Sequence, residues 1–210
     1  GKNAENFGCP WWFRWCSRGL YKCCYWGRVI NKEIKILGID PGLRVTGYGV
    51  IFQKNQSVTY IASGIIKTSN KESDLASRIK IILSGLTEVI EQFQPEVVAI
   101  EKVFVNTNPQ STLLLGQARG AAIAAAVSKN LDVFEYTALQ IKKSVVGKGH
   151  ATKNQVQTMI QRLLNLPSTP SSDSADALAC GICHANISSS LSNLGVGNRM
   201  KGGRIIWLVE

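Results

Sequence analysis

The chain has no run of apolar residues approaching the ~18–20 that a membrane span requires, so no membrane partner is expected. Its first 32 residues hold no apolar stretch followed by a small-residue cleavage site, which speaks against a secretory signal. Cys180-x-x-Cys183 has no second CxxC at a zinc-like spacing, and it falls on an Ala-rich helical pattern. Both thiols therefore read as small buried hydrophobes. Cys9, Cys16, Cys23 and Cys24 lie among tryptophans without a ligand pattern, so reduced cysteines in a cytoplasmic protein are expected. There is no internal repeat. Between Tyr136 and Ser172 there is no acid at all, an absence that becomes useful below.

What is present is a 210-residue chain, 45% hydrophobic and 18% charged, with a formal net charge of +10. Such an excess suggests an acidic partner such as nucleic acid. Its distribution weakens that reading. Residues 1–32 carry Lys2, Arg14, Arg18, Lys22, Arg28 and Lys32 against Glu5 alone, whereas 33–184 holds 15 basic and 12 acidic residues. Residues 1–33 are read as an extension without an assigned role, 34–187 as the folded domain, and 188–210 as a flexible tail.

Three apolar runs, Ile34–Asp40, Gly47–Gln53 and Val58–Ile66, are joined by short turns and predict an antiparallel meander. The period then changes. Leu75, Ile79, Ile82, Leu83, Leu86, Val89, Ile90 and Phe93 follow helical spacing until Pro95. Val97–Ile100 is apolar on both faces, as a central parallel strand is. Pro109–Asn130 predicts a helix of small residues, suited to close approach in the core or at a subunit contact. Val133–Tyr136 predicts a fifth strand. Helices follow at Ala138–Val145, Lys153–Leu164 and Asp173 to about Ala185. The fold class is α/β, a mixed five-stranded sheet flanked by helices on both faces.

Two of these strands end on carboxylates, Asp40 before a Pro41-Gly42 turn and Glu101. A charge beside an apolar core costs several kcal/mol unless a cation or hydrogen bonds satisfy it. Asp also initiates tight turns, so Asp40 alone leaves both readings open. Asp173 and Asp176, three apart at a helix start, share a face, although Asp173 also suits a helix cap. Taken together, four acids at neighbouring strand ends and a helix start repel one another. Divalent cations are the natural remedy, and all-oxygen ligands select Mg²⁺ or Mn²⁺. A pair of such ions ~3.5–4 Å apart stabilises both oxygens of an in-line phosphoryl displacement.

The segments GIDPGLRVTGYGV (38–50), QFQPEVVAIEKVF (92–104), LGQARGAAIAAAV (115–127), VFEYTALQIKKSVVGKG (133–149) and SDSADALA (172–179) resemble the bacterial RuvC family of crossover junction endodeoxyribonucleases. The resemblance spans about 34–185. It implies a ribonuclease H-like fold and a homodimer that nicks two strands of like polarity in four-way (Holliday) junction DNA. It further implies a role in recombination and repair, and partnership with the RuvA and RuvB branch-migration proteins. Asp40, Glu101, Asp173 and Asp176 fall on the family's catalytic, metal-binding positions, with two Mg²⁺ per subunit expected and Mn²⁺ as a substitute. Some members have His where this chain has Asp173.

The acid-free stretch now acquires a use. Lys142, Lys143, Lys148, Lys153 and Arg162 all lie in it, and a face of one sign suits phosphate contacts that position DNA without reading its sequence. Lys142 and Lys153 match basic positions the family uses for DNA. Phe104, three residues past Glu101, is placed to stack on an unpaired base at the crossover, as an aromatic does there in the family. Two other classes remain in view. A sugar-kinase or actin-like ATPase also places an Asp-x-Gly turn after its first strand, but needs a second phosphate-binding Asp-Gly segment, which is missing here. A non-catalytic junction binder would not need the full carboxylate set.

Overall fold

The computed structural model describes residues 33–68, 74–103, 109–193, 199–201 and 204–206. Phe104 and the extension before Glu33 lie outside the described residues. Strands β1 (Glu33–Asp40), β2 (Val45–Lys54) and β3 (Ser57–Lys67) form the meander. They are followed by α1 (Leu75–Phe93), β4 (Val97–Glu101), α2 (Pro109–Ser128), β5 (Asp132–Tyr136), α3 (Ala138–Val146), α4 (Lys153–Leu163) and α5 (Ser172–Asn193). A small antiparallel pair, β6 (Arg199–Lys201) and β7 (Arg204–Ile206), comes last. The main sheet has the order β3-β2-β1-β4-β5, with β1 antiparallel to β2 and parallel to β4, and β4 parallel to β5.

Local chemistry sets the boundaries. Asn55 takes φ 58° in the β2–β3 turn, a left-handed conformation that Asn tolerates better than most residues. Asp74 caps α1 by accepting from the Ser77 N–H. At the other end, Gln94 adopts a left-handed C-cap whose N–H reaches the Ile90 carbonyl, and Pro95 prevents continuation.

Side chains alternate across the central strands. Ile34 and Ile36 of β1, with Val97 and Ala99 of β4, pack against α3, α4 and α5. Leu37 and Ile39, with Val98 and Ile100, pack against α1 and α2. Both faces are thus buried, and each fully buried aliphatic side chain contributes roughly 1.5–3 kcal/mol. Alanines 118, 121, 122, 125 and 126 give α2 a flat inner surface toward α1 and the sheet. Gly116 and Gly120 point away from it, where an added methyl group would meet nothing within 4 Å.

Helix α5 lies on the sheet at backbone contact. A side-chain carbon at Gly38 would strike the Ala177 carbonyl and the Gly181 nitrogen. One at Gly47 would strike the Asp173 carbonyl, and one at Gly49 the Leu178 side chain. Only glycine permits this approach. The helix also runs further than the sequence pattern indicates, to Asn193 rather than about Ala185. The serine run is held rather than loose: Gln53 donates to Ser189 Oγ at 2.7 Å and to the Ala185 carbonyl at 3.2 Å, and Ser188 Oγ donates to Gln53 Oε1 at 3.3 Å. Polar composition suggested a tail; buried Gln53 supplies partners that the sequence alone does not display.

Candidate metal centre

The ends of β1 and β4 form one rung of the sheet. Ile39 is in register with Ile100, so the next residues, Asp40 and Glu101, leave neighbouring parallel strands side by side. Asp40 shares parity with Ile36 and Gly38, and Glu101 with Val97 and Ala99. Strand alternation therefore turns both acids toward the α5 side.

α5 brings the other two. The hydroxyl of Ser171 accepts from the Ser174 N–H at 3.4 Å, and the Ala175 N–H donates to the Ser171 carbonyl at 2.8 Å. Ser171 thus does the capping, which leaves the carboxylate of Asp173 in the first turn rather than consuming it as a cap. Ser174 Oγ lies 2.8 Å from Ser171 Oγ and donates to the Gly64 carbonyl at 3.3 Å, pinning this turn to β3.

The four acids lie close enough to act on one another. The Asp40 carboxyl is pushed up to about 7, first by burial, then by Glu101, Asp176 and Asp173, with Lys153 opposing. Glu101 is raised by burial and by Asp176, and lowered by Lys142 and Lys153. Asp176 is raised by burial and by Asp173, against Lys153 and Lys142. Among the described residues no three such side chains converge, as placed, on a single ion position. Their chemistry nonetheless fits one. The donors are all oxygen, partly buried, and carry more negative charge than two lysines offset, a set suited to a hard divalent cation.

Lys142 (α3) and Lys153 (first residue of α4) are placed by two capping boxes, Thr137 with Gln140 and Thr152 with Gln155. Lys143 and Lys148 are exposed, at the last turn of α3 and in the loop after it, and are not among the cations acting on the acids. Cys180 and Cys183 are buried free thiols, as the helical pattern indicates. A cleft of about 300 Å³ is lined by Glu101 itself, with Pro41, Lys102, Ser111, Thr112 and Leu115 among others.

Sequence reasoning missed the hydroxyls that hold this edge. Thr46 Oγ1 donates to the Gly42 carbonyl at 2.7 Å and accepts from the Gly42 N–H at 3.4 Å. Thr68 Oγ1 donates to the Leu43 carbonyl at 2.8 Å. Both threonines are buried, and a Thr in a strand pattern gives no sign of which backbone group it serves.

The sequence profile described as "Crossover junction endodeoxyribonuclease RuvC" matches residues 36–184. A protein of that name from Methylobacillus flagellatus is 61% identical over 177 residues, covering 82% of this chain and 98% of its own. The one from Nitrosomonas eutropha is 60% identical over 173 residues, covering 82% and 96%. Among solved structures, T. thermophilus RuvC in complex with a Holliday junction substrate superposes with a TM-score of 0.70 at 31% identity, covering 75% of this chain and 96% of that one.

Proposed function

The chain belongs to the RuvC family of crossover junction endodeoxyribonucleases, a family of metal-dependent nucleases with a ribonuclease H-like fold, and on that premise we propose how its own residues resolve a four-way DNA junction. The observation that supports the proposal is the mutual electrostatic influence of Asp40, Glu101, Asp173 and Asp176, from the ends of two central strands and the start of a helix, with Lys142 and Lys153 opposing them.

The reaction is hydrolysis of a phosphodiester. Water adds to phosphorus, the bond to the 3′ oxygen breaks, and 5′-phosphate and 3′-hydroxyl ends result. Two Mg²⁺ per subunit, with Mn²⁺ as a substitute, supply positive charge to the attacking and leaving oxygens when bound. Asp40, which feels all three other acids, would be the ligand common to both ions. Asp173 or Asp176 would join it on the side of the attacking water, and Glu101 on the side of the leaving oxygen. Lys142 and Lys153 draw the scissile strand's phosphates to the acid cluster, while Lys143 and Lys148 extend the basic track along the incoming duplex. Phe104 stacks on a base at the crossover.

Paired nicking of two strands of like polarity requires two such centres related by a two-fold axis, hence a homodimer. The outer face of α2 supports this reading. Leu113 is 69% and Val127 57% exposed, and between them stand Gly116, Gln117, Gly120 and Ala124, without a charge. No described helix is long and apolar enough to cross a membrane. Membership of the family, with its bacterial relatives, is what supports reading the chain as a cytoplasmic partner of the RuvA and RuvB branch-migration proteins in recombination and repair.

The deciding experiment incubates the protein with a synthetic mobile four-way junction and with a linear duplex of the same sequence, each with and without Mg²⁺. Symmetric nicks confined to the junction and to Mg²⁺-containing samples are expected. Binding without cleavage would reject the nuclease reading, and equal cutting of the duplex would reject junction selectivity.

A further inference from the structure

We infer that Thr46 is a positioning residue of the cation centre, fixing Asp40 through the backbone of Gly42. This inference rests on the reading of Asp40 as the shared cation ligand. Asp40 is the last residue of β1, paired with Gly47, and the chain leaves the sheet directly after it. Thr46, fully buried beside that last rung, turns its hydroxyl back across the loop. One Oγ1 satisfies both backbone groups of a single residue, donating to the Gly42 carbonyl at 2.7 Å and accepting the Gly42 N–H at 3.4 Å. Gly42 lies two residues beyond Asp40, so the bond closes a small ring over residues 42–46, directly beyond the Asp40–Gly47 pair.

Two further features remove slack from that ring. A side chain at Gly42 would run into the Val45 carbonyl, so the turn is already at its tightest. Thr68 holds the far side, through its hydroxyl on the Leu43 carbonyl and its N–H on the Arg44 carbonyl at 3.1 Å. The need for such a brace is electrostatic. Three carboxylates push on Asp40, and until a cation arrives their repulsion favours any movement of the turn that carries this acid away from them. A hydrogen-bonded turn resists that movement and keeps Asp40 where an ion can use it, an instance of a first ligand depending on its supporting shell.

The brace predicts a particular separation of effects. Thr46→Val keeps the volume and removes the hydroxyl, leaving both Gly42 backbone groups without their partner. Thr46→Ser keeps the hydroxyl and drops the methyl, and Thr46→Ala drops both. Calorimetric titration of the DNA-free protein with Mg²⁺ or Mn²⁺ is expected to show about tenfold weaker binding for Val and Ala, with Ser close to wild type; outer-shell partners of metal ligands typically contribute ~10–100-fold. The Mg²⁺ concentration giving half-maximal junction nicking is expected to rise in parallel, while junction affinity in EDTA stays unchanged. Equal cation affinity in folded Val and Ala variants would overturn the inference, as would a Ser variant as impaired as Ala. Loss of the folded state in both Val and Ala would assign Thr46 to stability instead. A wild-type protein that binds no divalent cation would overturn the reading of the centre itself, an outcome separate from any ranking of the variants.

Discussion

Asp40 and Glu101 leave adjacent parallel strands one residue beyond the Ile39–Ile100 register pair, both turned to the side on which α5 lies. Their proximity is a consequence of strand pairing alone, so neither needs a side-chain partner to bring it there. The cost shows in the Asp40 carboxyl, raised first by burial and then by repulsion from Glu101 and the two α5 acids.

Asp40→Asn removes the shared charge. Nicking of the junction is expected to be abolished while binding persists. The same variant should be more stable than wild type in EDTA, by at most about 4 kcal/mol if the whole elevation from 3.8 to about 7 is released. Substantial Mg²⁺-dependent nicking by this variant would sink the assignment.

The sign of the pH dependence follows from the same group. With its carboxyl raised on folding, Asp40 keeps the folded chain more protonated than the unfolded one between about pH 4 and 7. Its contribution to stability is complete below the unfolded value and is lost as pH rises through the folded one. Glu101 and Asp176 act in the same direction. Thermal melts in EDTA should therefore show this contribution falling from pH 5 to pH 8, and Mg²⁺ should raise the melting temperature more at pH 8 than at pH 5. An equal Mg²⁺ effect at both would contradict it.

Gly47→Ala places a methyl group against the Asp173 carbonyl. Overpacking of this kind costs about 1–3 kcal/mol, or several degrees in a domain of this size. Because the displaced element carries Asp173 and Asp176, nicking should fall further than stability explains. Calorimetric melting and cleavage assays at a temperature where the variant stays folded separate the two, and a variant with normal activity would show that α5 can shift without consequence.

Lys142→Ala and Lys153→Ala should weaken junction binding to a similar degree across sequences. Each is expected to make the dependence of log affinity on log salt concentration shallower by about one. An unchanged slope would remove that lysine from the phosphate contacts.

For the dimer, light scattering at micromolar concentration is expected to give twice the chain mass. Gly120→Arg, placed in the open space outside α2, should give a monomer that retains the fold. A wild-type monomer would count against this face.

Much of this was legible in the chain. Strand and helix periods gave the elements of the domain to within a few residues, the end of α5 excepted, since Pro95, the turn at Asn55 and the change from period two to period 3.6 are local signals. That Asp40 and Glu101 stand side by side was legible because apolar strands ending on carboxylates are costly without a purpose. Two things were hidden for physical reasons. The extent of α5 depends on Gln53, 136 residues away from the serine it bonds. The role of Ser171 in place of Asp173 as cap depends on which side chain the turn geometry presents to the Ser174 N–H, and both residues favour that position in sequence statistics. The comparisons with relatives also remove the ATPase alternative, which rested on the first turn alone.

The glycine contacts beneath α5 carry a consequence for how the centre tolerates change. Where backbone rests on backbone, the height of the helix above the sheet is a fixed gauge, set by covalent geometry and not by the fit of neighbouring side chains. Substitutions deep among Ile36, Ile51 or Ile160 can soften the packing of this half of the core without altering that height. The spacing of the acids should consequently outlast a good deal of drift in the rest of the core, and fail abruptly at Gly38 and Gly47.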